Sequence, residues 1–236
     1  MPESTQRTIA VIGDSRGVGA AIRSQLLLDG HRVIGVSRTG VSEVHSSYQS
    51  LIFDAVAHPC DLSNFAERLD GLVYCPGTIR LKPLKGLKRE HFQEDFEVNA
   101  WGAVQSIQAN LGLLQKAEKS SIVLFSTVAV QTGMPYHSSV AMAKGAIEGL
   151  TKSLAAEFAP NIRVNAIAPS MTATSLAEPF LSSDVKANAA AERHPLKIIG
   201  SASGVGSLAC WLVSEEAAFV SGQIYGMDGG IGSLRT

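Results

Sequence analysis

Short β-branched runs that are apolar on both faces alternate along this chain with longer segments whose apolar residues recur at three- and four-residue steps. TIAVIG (Thr8 to Gly13), HRVIGVS, SLIF, part of DGLVYCPG, SSIVLFST, NIRVNAIAPS and GQIYGMDGG read as seven strands of a buried sheet. After the first, Ala21, Ile22, Leu26 and Leu27 lay an apolar stripe along a helix from about Val18 to Asp29, with Gly30 placed to cap its C-terminus. Phe92 to Lys116 and Ser138 to Phe158 read as two long helices; in the second, Val140, Ala143, Ile147, Leu150 and Leu154 share one face. Strands alternating with helices make βαβ units. The pattern therefore predicts one α/β domain of Rossmann type over residues 1–236: a doubly wound, mostly parallel seven-stranded sheet flanked by helices.

Composition narrows the class. With 236 residues, 45% hydrophobic and 17% charged, the chain can bury a sizeable core. A net charge of -1 lacks the positive field that non-specific nucleic-acid binding needs, and no apolar run reaches a bilayer's width, so neither nucleic acid nor membrane is expected as a partner. The opening MPESTQRT carries no apolar signal core or arginine-rich transit pattern, which makes a cytoplasmic location the expectation. Cys60, Cys75 and Cys210 are odd in number and widely spaced, arguing against both a disulfide framework and a zinc site; no metal is expected. The basic run Arg80, Lys82, Lys85, Lys88 and Arg89 reads as a solvated face before it reads as an anion site. His31, His45, His58, His91 and His194 have no metal-ligand spacing and read as surface or loop residues.

Candidate chemistry begins at GDSRGVG. Gly13, Gly17 and Gly19, with Ser15, Arg16 and Val18 among them, follow a buried strand and open a helix, where bare backbone can approach a pyrophosphate and free N–H groups can hold it. The second strand ends in VSRT, with no acid to accept ribose hydroxyls. Ser37 and Arg38 stand there instead, with Arg16 within reach of the same corner, which favours NADP(H) and leaves NAD(H) as the alternative.

These residues resemble the short-chain dehydrogenase/reductase superfamily over nearly the whole chain. GDSRGVG looks like its cofactor turn, and Tyr74-Cys75-Pro76-Gly77 stands where the family has Asn-Asn-Ala-Gly. VNAWG resembles the segment with the family's helix asparagine, here Asn99, and NIRVNAIAPSMTAT the strand and loop that hold the nicotinamide. The resemblance implies cofactor contacts from Cys75, Pro76, Gly77, Lys144, Pro169, Met171, Thr172 and Thr174, with Ser170 in place of a glycine. At the adenine, Asp54, next to Ala55 in FDA, is preferred over Asp61, which reads as the N-cap of a short helix in LSNFAERL.

The family's reacting group is a serine, a tyrosine 13 positions later and a lysine 4 beyond that. Counting back from Lys144, this chain has Val140 for the tyrosine and Thr127 for the serine. Tyrosine and lysine at that spacing share a helix face, so the ammonium can lower the phenol's pKa and bind the nicotinamide ribose. Valine has no proton to give. Thr127, a water held by Lys144, or the nearby Tyr136 and His137 are candidates to supply it. The resemblance implies hydride exchange between NADP(H) and a carbonyl or alcohol, with Thr127 orienting the oxygen, Lys144 holding the ribose and Asn99 maintaining a water path. A catalytically silent dinucleotide-binding protein or regulator is the alternative. Residues 172–200, with Leu176, Phe180 and Leu181, are expected to form an apolar lid over a small-molecule substrate. A homo-oligomer, tetramer or dimer, is implied through the segments Trp101 to Leu114 and Ile147 to Leu154.

Overall fold

A computed structural model describes residues 6–42 and 44–235. The chain runs β1 (Thr8–Ile12), α1 (Gly17–Leu28), β2 (Arg32–Ser37), β3 (Tyr48–Ile52), β4 (Gly71–Tyr74), α2 (Arg89–Phe96), α3 (Gly102–Gln115) and β5 (Ser120–Phe125). It continues through α4 (Ala129–Thr132), α5 (Ser138–Phe158), β6 (Ile162–Pro169), β7 (Thr172–Ala173), α6 (Asp184–Glu192), β8 (Gly200–Ser201), α7 (Ala202–Val213) and β9 (Ile224–Met227).

Seven strands form one sheet in the order β3-β2-β1-β4-β5-β6-β9, every pairing parallel. The order reverses between β1 and β4, the crevice where open α/β sheets bind ligands at their carboxyl ends. The apolar residues of β1 divide by parity. Ala10 and Ile12 enter a core with Ala103, Ile107 and Ile147 from α3 and α5, while Ile9 and Val11 pack with Ile22 and Leu26 of α1 and Val205 and Leu212 of α7. Strands buried on both faces therefore appear in the sequence as continuous apolar runs.

Three local readings change. The segment expected to be a single helix from Phe92 begins at Arg89 and carries a π-helical turn, Glu97–Trp101, between α2 and α3. The buried Tyr74 phenol donates to the Val98 carbonyl in that turn at 2.8 Å. Gly102 is what lets the ring in, because a Cβ there would overlap the Tyr74 hydroxyl. This phenol ties β4 to the helix at the point where the family motif has amides. The expected helix after Asp61 is a set of turns; Asp61 caps only Ser63, accepting from its N–H at 2.8 Å and its hydroxyl at 3.0 Å. Finally, α7 was not among the expected helices. Its small residues are there for close packing: a Cβ on Gly206 would sit 3.2 Å from Ala21 Cβ and 3.3 Å from the Ile22 nitrogen.

Replacing Tyr74 with Phe leaves the Val98 carbonyl without its buried donor and should lower stability by about 1–3 kcal/mol. Denaturant unfolding should show an earlier midpoint with an unchanged m-value.

Candidate active site

At the switch point, Gly13 (φ +84) and Gly17 (φ +57) adopt left-handed backbone. Pro76 crowds Gly13, where a Cβ would lie 3.0 Å from its Cδ, and a Cβ on Gly19 would overlap the Gly13 carbonyl oxygen. Among the described residues no side chain caps α1, whose N-cap is Arg16, so the N–H groups of its first turn are open to an anion. Gly17 faces Thr174 across the cleft; a Cβ on Gly17 would meet the Thr174 side chain at 3.5 Å. The turn thus has the bare concave backbone that a pyrophosphate needs, with Ser15 partly exposed beside it and Val18 reaching the cavity described below.

Beneath the turn lies a fully buried carboxylate that was not singled out from the sequence. Asp14 accepts from the Tyr48 hydroxyl, and Arg23 donates to its carbonyl at 2.6 Å while its guanidinium lies 3.7 Å from the carboxylate. Burial pushes the Asp14 pKa up, with Tyr48 and Arg23 opposing the shift. Gly35 in β2 is required above it, since a Cβ there would overlap the Asp14 carboxylate.

The neighbouring corner is built from the ends of β2 and β3. Ser37 is buried, whereas Arg38 and Arg16 are exposed and form no ion pair among the described residues. Asp54 lies two residues beyond β3, and one carboxylate oxygen accepts from Val56 N–H at 3.0 Å and Ala57 N–H at 3.2 Å. Ala55 is buried, its carbonyl bonded by Gln105 at 2.7 Å.

The ends of β4, β5 and β6 enclose a cavity of about 210 Å³. Cys75, Gly77, Thr127, His137, Val140 and Lys144 line one part of it; Pro169, Ser170, Met171, Thr172 and Thr174 line another. Leu176, Ala177, Arg193 and His194 close it from the segment that follows β7. Lys144 is 7% exposed, and its Nζ donates to the Phe125 carbonyl at the end of β5 at 2.7 Å. Burial lowers its pKa to about 8, with the Cys75 thiol opposing the shift. The Cys75 thiol is itself pushed up, first by burial and then by Asp14.

Gly77 passes between Lys144 and Asn99: a Cβ there would lie 3.6 Å from Lys144 Nζ and 3.2 Å from Asn99 Oδ1. The Asn99 amide is fully engaged, donating to Thr78 Oγ1 and the Asp95 carbonyl at 2.7 Å each and accepting from Thr78 N–H at 3.1 Å. Thr127 Oγ1 lies 3.5 Å from the Pro169 carbonyl. Val140, 5% exposed, lies one helical turn before Lys144 in the same wall.

Residues 12–232 match the family described as Enoyl-(Acyl carrier protein) reductase. Two tropinone reductase homologs of Arabidopsis thaliana are similar along nearly their whole length. One is 31% identical over 238 residues, covering 94% of this chain and 91% of its own, and the other is 32% identical over 243 residues, covering 94% and 89%. The chain belongs to the short-chain dehydrogenase/reductase superfamily. Among solved structures, a putative 2-deoxy-d-gluconate 3-dehydrogenase of Agrobacterium tumefaciens with bound NADP superposes at TM-score 0.85 and 27% identity, with 98% of each chain covered. The ligand-free aldohexose dehydrogenase of Thermoplasma acidophilum does so at 0.87 and 25%, covering 98% of this chain and 97% of its own. Membership makes this protein one of a family of dehydrogenases and reductases.

Several expected short-chain dehydrogenase/reductase site residues do converge: the glycine turn, Cys75, Gly77, Thr127, Lys144 and the residues after Pro169 surround one cleft. Tyr136 does not join them. It is 57% exposed, lies outside the cavity wall and holds a positive φ of 70°. His137 lines the cavity with Nδ1 held by the Pro135 carbonyl at 2.8 Å. Of the three apolar residues expected in a lid, Leu176 lines the cavity; Phe180 and Leu181 do not. His194 does stand in the loop after α6, but not on the surface: it is 3% exposed and faces the cavity. Ser126 and Glu148 were missed as well, the serine hydroxyl donating to the glutamate at 2.7 Å beside Thr127. In the basic run, Arg80 pairs with Glu94 and Asp95, whereas Lys82, Lys85, Lys88 and Arg89 are exposed. Among the described residues no helix is long and apolar enough to cross a membrane, and no cluster of His, Cys, Asp or Glu could hold a metal ion.

The depressed Lys144 pKa makes a pH prediction for the free protein. Between about 8 and the ordinary 10.5, the unfolded chain holds this proton and the folded one does not, so folding gains stability as pH rises. The penalty is fully present below the lower value and gone above the upper. Relative to Lys144→Met, the native protein should therefore gain up to about 3 kcal/mol across that window, measured by denaturant unfolding at a series of pH values.

Proposed function

We propose that the protein is an NADP(H)-dependent oxidoreductase that interconverts a carbonyl and an alcohol on a small apolar substrate. The observation that carries this reading is the convergence of the glycine turn, the buried Lys144 and Thr127 on one apolar-walled cleft at the switch point. The cofactor would supply or accept the hydride at its nicotinamide ring. Gly13, Gly17 and Gly19 would admit the pyrophosphate to the free N–H groups of α1, with Asp54 at the adenine. Arg38 and Arg16, exposed and without ion pairs among the described residues, favour a 2′-phosphate over a bare ribose. The NADP held by the Agrobacterium protein agrees with this choice.

Lys144 would turn its remaining N–H donors to the ribose, since Phe125 takes only one of its three. Thr127 would orient the reacting oxygen, and Asn99 would hold the Thr78 loop on the far side of Gly77. Residues 172–200 would cover the substrate, with Leu176 as an apolar contact. Association into a dimer or tetramer through α3 and α5 is part of the same reading.

Val140 supports a second reading, a dinucleotide-binding protein with no turnover, because an isopropyl group at the phenol position can neither donate a proton nor stabilise an alkoxide. The two readings separate in one experiment. NADPH oxidation against a panel of aldehydes and ketones, abolished in Lys144→Ala, supports the oxidoreductase. Tight NADPH binding without turnover, with activity emerging only in Val140→Tyr, supports the silent protein. If the oxidoreductase reading holds, Val140→Tyr should still raise kcat by about 10²-fold, within the span of a general acid.

Cofactor choice has a separate check. Arg38→Ala should weaken NADPH binding by about tenfold, roughly one charge-assisted hydrogen bond, and leave NADH binding unchanged in fluorescence titrations.

A further inference from the structure

We propose that Ser170 and His194 form the proton relay of this cavity, delivering to the substrate oxygen the proton that Val140 cannot. The inference rests on the oxidoreductase reading above. Two departures from the family pattern meet here, for a hydroxyl has been added at Ser170 and one is missing at Val140, and both residues line the same cavity.

The geometry fixes the direction of each hydrogen bond. His194 Nδ1 lies 2.8 Å from the Ala190 carbonyl, which can only accept, so this nitrogen carries the hydrogen and Nε2 of the neutral ring is bare. Nε2 lies 2.8 Å from Ser170 Oγ, so the serine hydroxyl donates into the ring. The imidazole cannot easily turn. A Cβ on Gly229 would lie 3.1 Å from His194 Cβ and 3.3 Å from Cδ2, and the Gly229 carbonyl is bound by Leu196 N–H at 3.1 Å.

Ser170 is held as firmly. Its N–H donates to the Met227 carbonyl at 3.1 Å, and its own carbonyl accepts from Thr172 Oγ1 at 3.0 Å. The preceding carbonyl, of Pro169, contacts Thr127 Oγ1 at 3.5 Å and accepts from Val128 N–H at 3.2 Å. The added hydroxyl therefore belongs to the residue joined by its peptide bond to the carbonyl that Thr127 contacts, and it lines the same cavity. His137 lacks this arrangement, being partly exposed with no hydroxyl on its second nitrogen.

In the reducing direction, the carbonyl carbon takes the hydride and its two electrons, the C=O π bond opens, and the oxygen takes the Ser170 hydroxyl proton. Ser170 recovers a proton from Nε2 of the imidazolium, which forms when the bare Nε2 takes a proton from water entering the cavity and the serine hydroxyl turns from the ring to the substrate; neutral His194 is left with Nδ1–H still on Ala190. Alcohol oxidation runs the same transfers in reverse. Lys144, Cys75, His137 and Arg193 share the cavity wall with the ring. Asp228 belongs to the turn packed on it, its carboxylate bound by Gly230 and Gly232 N–H, and Glu192 pairs with Lys197 next to its own segment.

The test combines kinetics with a measurement on the free protein. His194→Gln retains an acceptor for Ser170 but cannot ionise, and Ser170→Gly removes the relay hydroxyl. With NADPH and the carbonyl panel, each should lower kcat by about 10²-fold, and His194→Gln should erase an ionisation from the pH–rate profile while NADPH affinity holds. Nitrogen-15 NMR of histidine-labelled free protein should show the Nδ1–H tautomer at His194, with the Nε2 resonance moving in Ser170→Gly. Wild-type turnover with an unaltered pH profile in His194→Gln, or an Nε2–H tautomer, overturns the relay and leaves the oxidoreductase reading standing. Wild-type NADPH binding without any turnover overturns both.

Discussion

The site is organised around one buried ammonium. Lys144 reaches from α5 to the last carbonyl of β5 and donates to it from inside the apolar core. That bond locks the helix against the strand end, and the rest of the wall takes its place from it. Thr127 follows two residues beyond Phe125, Val140 lies one turn back along the helix, and Gly77 must be bare because Nζ and Asn99 flank it. A single backbone acceptor is poor compensation for a desolvated charge, and the ammonium's depressed pKa is the result. A group under that strain on the apolar face of a helix is better explained by a partner outside the protein than by packing.

The glycine turn depends on a different constraint, the close approach of bare backbone to its neighbours. Gly19 must lie against the Gly13 carbonyl, Gly13 against Pro76, and Gly35 over the Asp14 carboxylate. These contacts bring the N-terminus of α1 down onto the sheet at the point where its order reverses. Asp14, Tyr48 and Arg23 then tie the turn to β3 at the edge of the sheet, so the glycine turn and the corner at the ends of β2 and β3 are parts of one packed unit.

What could be read in the sequence was what leaves a periodic or spaced trace. The seven strands and the helix Ser138–Phe158 are apolar runs and stripes, and Thr127, Val140 and Lys144 were located by the spacing that the family resemblance implies. Helix α7 carries a stripe of Val205, Leu208, Ala209 and Leu212, but Gly204, Gly206 and the neighbouring serines lower its helix propensity, and Gly206 is there for close packing against Ala21 and Ile22 of α1. The π-turn at Asn99 was not legible either: its Val98 carbonyl is bound by the Tyr74 phenol, 24 residues earlier on another element. His194 is the clearest case. Nothing within its own segment distinguishes it from a loop histidine, and its contacts with Ser170 and Gly229 form only when the segment after β7 packs against the ends of β6 and β9. A signal was present in Ser170, where the resemblance leads one to expect glycine.

Val140 itself is well accounted for as a core residue. It continues the stripe of Ala143 and Ile147 into the buried face of α5, so the valine helps the helix pack whatever the chemistry. Packing does not account for its neighbour, however. A protein with no use for a nicotinamide would gain by replacing Lys144 with an apolar residue, since a depressed pKa is a standing penalty on the folded state at neutral pH. Nor does packing account for Ser170 and His194, two polar side chains spent on each other at the edge of an apolar cavity when glycine would fit the strand end. The loss of a general acid raises a barrier by only about 3 to 5 kcal/mol, which a second donor of modest efficiency can offset in part. Retained lysine, absent phenol and added hydroxyl are thus mutually consistent as one site whose proton source has moved from the helix to the strand end.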